Sequence, residues 1–399
     1  MTGQTAFQPR IMLVAGEPSG DALGGELMHA LKDMTGGKVS FSGVGGTRME
    51  EQGLSSLFPM TDISVMGPRE VVPRLPLILR RIRQTADYAI THKPDVMVII
   101  DSPDFTHLVA RRVAKRAPEI PIVNYVSPSV WAWRRGRARA MARYLRRVLA
   151  LLPFEPAFFK AQAGLDCVYV GHPAINRLPE PGAGRRFREA HGIPATAPLL
   201  LLLPGSRVNE VKRLMGIFGE TASRVAAAMP GLHIVLPTVP HVGDYVRAET
   251  AKWTLPVTVI QDESEKRAAF DAATAALAAS GTVSLELGLA RVPMVIGYRI
   301  DRIAGTLVGR MLKVPSVVLV NLILDRPSVQ ELLQYRCTPE NLSAALLPLL
   351  QETPERQRAL ADLDELKERM GAGGEHPSVR AARAVLEVLD QKALPSPSS

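Results

Sequence analysis

The sequence is poor in cysteine, in aromatic residues and in long apolar runs. Its 2 cysteines, Cys167 and Cys337, are too few for a disulfide framework or a zinc site. No apolar run approaches the ~18 to 20 residues that span a bilayer. The first ten residues contain no apolar core of a signal peptide. We therefore expect a protein of a reducing compartment, not exported by that route, whose membrane contact is at most peripheral.

Two common nucleotide-binding motifs are also missing. A turn of sequence GEPSGD follows the apolar run 11–15, and its spacing matches neither the dinucleotide fingerprint G-x-G-x-x-G nor the P-loop. This excludes the dehydrogenases and kinases that depend on those motifs. A glycine-rich turn that opens a helix still presents backbone N–H groups to an anion or a sugar.

The composition is that of an ordinary globular protein with a basic balance. A chain of 399 residues, 46% hydrophobic and 22% charged, is too long for one core, so two domains are expected. The net charge of +9 suits nucleic acid, a phosphorylated substrate or an anionic membrane surface. Composition does not choose among these three partners.

Apolar runs alternate with helical patterns along the chain. Strands are predicted at residues 11–15, 39–42, 96–100, 122–126, 168–170, 199–203, 233–236, 257–260, 275–278 and 293–298. This alternation predicts an α/β fold with two doubly wound, Rossmann-like halves. We predict a first domain at 1–175, a second at 176–365, helices at 366–392 that pack back toward the first domain, and a disordered tail at 393–399. A segment rich in Pro and Gly, 179–184, is the predicted linker.

The apolar stretch 96–100 ends at an acidic residue. Its 5 residues form the continuous, largely β-branched run typical of a parallel strand buried on both faces. Open α/β sheets bind ligands beyond the carboxyl ends of such strands, so Asp101 is a candidate for chemistry. In a structural alternative, Asp101 caps the next helix or binds amides of the turn. Asp104, in the same turn, is predicted to cap that helix or to orient Asp101.

Residues 134–147 contain 7 arginines and no acid. Apolar residues recur there at helical spacing, which predicts one amphipathic helix. Its arginines either form a solvated face or bind phosphates or anionic lipid headgroups.

Ten short motifs occur in order along the chain. They are AGEPSGD (15–21), VMG (65–67), PDVMVIIDSPDF (94–105), YVSPSVWAWR (125–134), LPFE (152–155), VGHP (170–173), LLPGSRVNEV (202–211), ASGTVSLE (279–286), PMVIGYR (293–299) and PSVVLVNLIL (315–324). Together they closely resemble the lipid-A-disaccharide synthase family. The resemblance implies a GT-B fold, in which two Rossmann-like doubly wound domains face a central cleft.

The resemblance also implies a reaction. An inverting glycosyltransferase would join UDP-2,3-diacylglucosamine to 2,3-diacylglucosamine 1-phosphate and release UDP. Asp101 matches the position that the family pattern gives to the general base. The predicted phosphate turns contain no Asp-x-Asp pair of the kind that would hold a metal at the diphosphate, so neither a metal nor a cofactor is expected.

Site residues are predicted in both halves. The predicted acceptor-binding residues are Glu17, Ser19, Gly20 and Asp21. The predicted UDP-binding residues are Gly205, Ser206, Arg207, Ser280, Gly281, Thr282, Glu286 and Asn321.

Four of these residues have structural alternatives. Ser19 or Asp21 caps its helix instead, and Glu286, expected on the ribose, is instead a favourable charge in a first helical turn. Asn321, in a strand-like stretch, either binds the uracil or forms a hydrogen bond to a buried backbone group.

Partners and location follow from the same resemblance. We expect peripheral association with an anionic leaflet, at the cytoplasmic face of the inner membrane of a Gram-negative bacterium. Residues 65–83, which mix apolar residues with arginines, either receive acyl chains there or form an ordinary packed helix. A homodimer is the working expectation for assembly. The alternatives are another GT-B enzyme, such as a UDP-N-acetylglucosamine 2-epimerase, or a basic nucleic-acid binder, although no zinc-finger, RRM-like or KH-like signature is present.

Overall fold

The computed structural model describes residues 8–64, 68–133, 136–300 and 314–393. Two compact units divide the chain. One runs to Pro173 and includes the chain from Gly374 onward, and the other is Ala174–Gly373. The predicted tail lies outside the described residues except for Ala393, where the last helix ends.

The first unit alternates strands and helices. Its elements are β1 (Arg10–Ala15), α1 (Pro18–Met34), β2 (Ser40–Val44), α2 (Thr47–Glu50), α3 (Pro68–His92), β3 (Val96–Ile100), α4 (Pro103–Arg116), β4 (Ile122–Tyr125), α5 (Val130–Trp133), α6 (Gly136–Met141), β5 (Arg147–Ala150), α7 (Glu155–Ala163) and β6 (Cys167–Tyr169). The strands form a parallel six-stranded sheet in the order β2-β1-β3-β4-β5-β6.

The second unit has the same architecture. Its elements are α8 (Ala183–Ala190), β7 (Leu199–Leu203), α9 (Val208–Ala228), β8 (His233–Pro237), α10 (Pro240–Thr250), β9 (Thr258–Ile260), α11 (Glu263–Ala272), β10 (Ala275–Ala278), α12 (Val283–Leu289), β11 (Met294–Tyr298), α13 (Leu319–Leu324), β12 (Gln330–Leu333), α14 (Pro339–Leu350) and α15 (Pro354–Met370). Its strands form a parallel six-stranded sheet in the order β12-β11-β10-β7-β8-β9.

The last helix, α16 (Pro377–Ala393), belongs to the first unit. Its residues Ala381, Ala382 and Val385 are buried in the same apolar cluster as β1 and β3. The guanidinium of Arg147 on β5 also holds it, because Nη1 donates to the carbonyl oxygen of Ala384 at 3.0 Å. A helix far along the chain therefore completes the core of the first sheet.

Predicted strands in both halves are confirmed. Strands β3, β7 and β10 have the predicted bounds, and every residue in them is buried. Burial on both faces of a parallel sheet requires a continuous apolar run, so these strands were readable from composition. Helix α10 and the edge strand β12 were not predicted.

The predicted helix over residues 134–147 is wrong in its second half. The described helix there, α6, ends at Met141, and Arg147 begins strand β5 with its side chain 7% exposed. Apolar residues at 138, 141, 145 and 148 have helical spacing, but the last of them lies in strand β5. Arg134 and Arg135 lie outside the described residues.

The predicted linker, 179–184, lies within the second unit. The backbone N–H of Gly184 donates to Asp271 Oδ2 at 2.7 Å, and helix α8 begins at Ala183. The division between the units falls earlier, at Pro173. Among the described residues, no helix combines the length and the apolarity that a membrane crossing requires.

Candidate active site

In each sheet the strand order reverses at one point. Successive strands are added first on one side of the starting strand and then on its other side. The first sheet grows from β1 to β2 and then crosses to β3 on the other side of β1. In the second sheet the corresponding neighbours are β7 and β10. Ligands of open α/β sheets bind beyond the carboxyl ends of the strands that flank such a point. The predicted acceptor turn and Asp101 follow β1 and β3, and the two predicted phosphate turns follow β7 and β10.

Asp101 is held in a strained backbone conformation beyond β3. Its φ is 52° and that of Ser102 is 44°, both in the left-handed region. The hydroxyl of Ser19 donates to Asp101 Oδ2 at 3.0 Å, and the N–H of Ser102 donates to Oδ1 at 2.9 Å. The hydroxyl of Thr106 donates to the carbonyl oxygen of Asp101 at 2.7 Å. These bonds fix the carboxylate. It remains half-buried and can accept a hydrogen bond from a further donor.

Ser19, Gly20 and Glu17 surround Asp101. A Cβ at Gly20 would lie 3.1 Å from the carbonyl oxygen of Ile100 and 3.6 Å from Asp101 Cβ, so glycine lets helix α1 approach the end of β3 closely. Burial raises the pKa of the Glu17 carboxyl, and the negative charges of Asp101 and Asp104 raise it further. The structure thus brings Glu17, Ser19 and Gly20 together with Asp101.

Asp21, the fourth predicted acceptor residue, points elsewhere. Its carboxylate is 5% exposed and accepts the N–H groups of Gly46, Arg48 and Met49 at 2.7 to 3.1 Å. These amides form the N-terminus of α2, so Asp21 caps the next helix along the chain rather than its own. Its hydrogen-bonding capacity is used within the protein.

The turn after β7 carries an exposed arginine, Arg207. Gly205 has φ 112°, and a Cβ there would lie 2.9 Å from Glu210 Oε2. Arg207 Nη1 lies 3.0 Å from Glu210 Oε1, and the Arg207 side chain is 78% exposed. The carbonyl oxygen of Ser206 accepts a bond from His241 Nε2 at 2.7 Å. Arg207 is therefore accessible to an incoming phosphate, with Glu210 as its present partner.

The turn after β10 contains the other predicted phosphate-binding residues. Ser280 donates its hydroxyl to the carbonyl oxygen of Val317 at 3.2 Å, and Gly281 and Thr282 lead into α12. Glu286 on α12 is partly buried, and its Oε2 accepts Lys266 Nζ at 2.8 Å. The structure brings Ser280, Gly281, Thr282 and Glu286 to one strand end, where backbone amides and a carboxylate are available.

Asn321 is the predicted UDP contact whose polar atoms are all engaged. Its stretch is helix α13 rather than a strand, and the side chain is 4% exposed. Its amide donates to Val329 O at 2.9 Å and Glu331 Oε1 at 2.8 Å, and its Oδ1 accepts the N–H of Val329 at 2.7 Å. This is the contact pattern of the structural alternative, in which Asn321 satisfies buried backbone groups.

Sequence reasoning missed three residues that support these strand ends. Glu155 is 2% exposed and accepts hydrogen bonds from Trp131 and Leu152. Glu210 also accepts the hydroxyl of Tyr298 at 2.9 Å, and Lys266 pairs with Glu286. Glu155 and Glu210 lie inside the motifs LPFE and LLPGSRVNEV, so the sequence carried a signal for them. The motif signal did not indicate their partners, which lie on other elements.

Within the described ranges, no group of three or more His, Cys, Asp or Glu side chains is placed to hold a metal ion.

Comparison with known proteins gives a consistent picture. A family model described as lipid-A-disaccharide synthetase matches residues 11–384. A lipid-A-disaccharide synthase of Rhodospirillum centenum is 48% identical over 384 residues, which are 96% of each chain. One of Rhodopseudomonas palustris is 49% identical over 384 residues, covering 95% of this chain and 96% of that protein.

Solved structures of low sequence identity share the fold. A UDP-GlcNAc 2-epimerase from Neisseria meningitidis, bound to UDP-GlcNAc, has a TM-score of 0.57 at 12% identity, over 96% of this chain and 100% of that one. MurG of Acinetobacter baumannii has a TM-score of 0.57 at 16% identity, over 96% and 99% of the two chains. The two-unit α/β architecture is thus that of GT-B proteins.

Proposed function

The chain belongs to the lipid-A-disaccharide synthetase family, and from that premise we propose that it joins UDP-2,3-diacylglucosamine to 2,3-diacylglucosamine 1-phosphate with inversion. It is a GT-B glycosyltransferase of lipid A disaccharide synthesis. The products of the proposed reaction are a tetraacyl disaccharide 1-phosphate with a β-1,6 linkage and UDP. The observation that carries the proposal is Asp101, whose carboxylate is fixed at the switch point of the first sheet.

In the proposed reaction Asp101 is the general base. The acceptor 6-hydroxyl oxygen attacks the donor anomeric carbon while the bond from that carbon to UDP breaks. The hydroxyl proton passes to Asp101 Oδ2 or Oδ1 and then to solvent. A single in-line displacement explains how an α-linked donor would give a β-linked product without a covalent intermediate. One base is sufficient for this step.

The second unit would receive the UDP. Its diphosphate gains negative charge as the bond breaks, and a guanidinium with backbone amides stabilises such charge. Arg207 is the exposed cation at the switch point, and the turns 205–207 and 280–282 supply N–H groups. In this proposal Glu286 would accept hydrogen bonds from the ribose hydroxyls.

The direct test is a mass-spectrometric assay with both proposed substrates. We expect the tetraacyl disaccharide 1-phosphate and an equal amount of UDP. Absence of disaccharide with these substrates, or release of N-acetylmannosamine from UDP-N-acetylglucosamine alone, would contradict the proposal.

Arg207→Met is expected to weaken UDP binding about tenfold, because a charge-assisted hydrogen bond to phosphate is lost. Titration calorimetry with UDP measures the Kd. Arg224→Met is the matched control, since Arg224 lies on α9, the helix that begins directly after Arg207, and pairs with Glu220 and Glu340 at the surface. Equal Kd values for the Arg207→Met variant and the wild type would remove Arg207 from the UDP site.

We also propose that helix α3 meets the anionic leaflet that holds the acyl chains. Val72, Leu75 and Leu79 lie on one face and are 41% to 68% exposed, although an ordinary packed helix would bury its apolar residues. Arg80 and Arg83 beside them are exposed. Arg81, by contrast, is bound to Asp62 at 2.6 Å and is unavailable for lipid. Residues 65–67 of this stretch lie outside the described residues.

A Leu75→Asp/Leu79→Asp variant is expected to bind anionic vesicles at least about tenfold more weakly. Two apolar side chains that would contact the bilayer are lost, and the added negative charge is repelled by the anionic lipid. Vesicle sedimentation at low ionic strength measures the binding. Met34→Asp is the control, because Met34 is an equally exposed apolar residue on α1 (41%). If the wild type does not sediment with the vesicles, the membrane proposal is wrong.

A further inference from the structure

The carboxyl ends of three neighbouring strands are tied together beside Asp101. The N–H of Asp101, after β3, donates to Tyr125 O of β4 at 3.1 Å, and the N–H of Val126 donates to Leu149 O of β5 at 3.1 Å. Val126 has φ 72°, a conformation that β-branched residues rarely adopt. Surrounding contacts must hold such a residue in place, and strain of this kind is concentrated at functional sites. The segment 126–133 therefore leaves the sheet in a fixed direction next to the candidate base.

A buried carboxylate holds that segment. Glu155 Oε1 accepts the indole N–H of Trp131 at 3.1 Å, and Oε2 accepts the N–H of Leu152 at 2.9 Å. The Trp131 ring packs edge-on against Phe154, with 5.1 Å between ring centroids. Trp131 is 8% exposed and Glu155 is 2% exposed. The far end of the segment is thus fixed to the start of α7 by one specific hydrogen bond and one ring contact.

The burial of Glu155 is costly. No basic side chain among the described residues forms an ion pair with it, although a buried carboxylate normally requires one. Burial raises the pKa of Glu155 to about 7, although hydrogen bonds from Leu152, Trp131 and Ser127 act in the opposite direction. An apolar residue would pack at lower cost but could not accept the Trp131 N–H. This indicates that the position of the segment, rather than stability, explains the carboxylate.

We propose that Glu155 is a positioning residue that, through Trp131, holds the segment 126–133 as the wall of the acceptor pocket beside Asp101. The inference rests on the proposed function. Trp133, on the same short helix α5 as Trp131, is 43% exposed and gives this wall an apolar surface. The ligand class is the acylated acceptor sugar, whose apolar parts would lie against that surface.

Two variants test the inference. Glu155→Gln leaves one of the two buried N–H donors without an acceptor, and Trp131→Phe removes only the indole donor. Each is expected to raise the KM for the diacylglucosamine 1-phosphate acceptor about tenfold. The Kd for UDP should stay within about twofold of wild type, because Arg207 and the phosphate turns belong to the other unit. The double variant should be no worse than the more impaired single variant, since both changes break the same contact.

A matched control separates positioning from general destabilisation. Glu119→Gln, also in the first unit, removes an exposed ion pair with Lys93 (3.6 Å) and should leave both constants unchanged. An unchanged acceptor KM in folded Trp131→Phe protein would overturn the inference, even if Glu155→Gln failed to fold. So would a parallel rise of acceptor KM and UDP Kd. If the wild type forms no disaccharide, the proposed function fails instead.

The pH dependence of the acceptor KM gives a second readout. The titratable groups that face Glu155 are the Cys167 thiol and the Tyr169 phenol of β6, with Arg380 lying over the Tyr169 ring. Burial raises the pKa of Tyr169 to about 12 and raises that of Cys167, so both stay neutral between about pH 6 and about pH 8. The ionised Glu155 accepts both N–H donors, and protonation removes one acceptor. The wild-type KM should therefore rise toward the Glu155→Gln value as the pH falls through about 7, and a constant ratio of the two KM values would overturn the inference.

Discussion

Asp101→Asn is expected to lower kcat by about 10²- to 10⁴-fold, the range that a general base typically contributes. Asparagine tolerates the left-handed conformation, so the backbone at φ 52° can be retained. The amide oxygen can still accept the hydroxyl of Ser19, now 3.0 Å from the carboxylate. The KM for acceptor and the Kd for UDP should change little, because the substitution removes the proton acceptor and preserves the shape. Initial rates of disaccharide formation at saturating substrates measure the effect.

Asp104→Asn is the matched control for this experiment. Asp104 lies three residues away in the first turn of α4 and is exposed. Its replacement removes the same charge from the same turn, and the rate should stay within about threefold of wild type. A fully active Asp101→Asn variant would remove Asp101 as the base and leave the fold assignment intact. Equal losses in both variants would point to the charge of the turn rather than to proton transfer.

Arg147→Met is expected to destabilise the first unit by about 2 to 3 kcal/mol, because a buried cation is lost from its partners. Arg147 Nε lies 2.6 Å from Asp166 Oδ2, and Nη1 lies 2.7 Å from Glu387 Oε2. The same Nη1 donates to Ala384 O, which would lose this additional hydrogen bond and keep the one within its helix. The two carboxylates are 51% exposed and can be rehydrated, so the loss is smaller than for a fully buried pair. Arg147→Lys should recover part of the stability, since lysine has a charge but no planar fork.

Chemical unfolding and hydrogen exchange of the α16 amides measure this change. The control is Arg146→Met, because the neighbouring Arg146 also reaches the last helix, donating to Gln391 Oε1 at 3.0 Å from an exposed position. It should cost less than about 0.5 kcal/mol. If exchange in α16 is unchanged by Arg147→Met, the pairing does not hold the last helix on its sheet.

Arg147 also shows where the sequence pattern misled. Seven arginines and a helical apolar spacing predicted one basic amphipathic helix, with the arginines on its solvent face. A short helix and a strand can share that spacing over a few residues. The partner Glu387 lies 240 residues away in the chain, so no local pattern could reveal that the arginine is buried and paired.

The observed partners of Glu155 and Asp21 were not predicted, for the same reason. An acidic residue near a helix N-terminus is read as a favourable charge or a cap for that helix. Asp21 caps α2 instead, and Glu155 binds the indole of Trp131. The choice of partner depends on which turns the sheet brings together, and that choice is made by packing.

The sequence by itself determined the two doubly wound halves, the buried strands and the turns at their carboxyl ends, including the position of Asp101. It could do so because burial on both faces demands continuous apolar runs, and because turns and helix starts have local chemistry. Only the tertiary structure decided that β1 lies beside β3 and β7 beside β10, so that these turns meet at switch points. It also decided which side chains are used up internally, such as Asn321, and which, such as Arg207, face solvent. Strand order and side-chain pairing arise from contacts between residues far apart in the chain, and a local sequence pattern cannot predict such contacts.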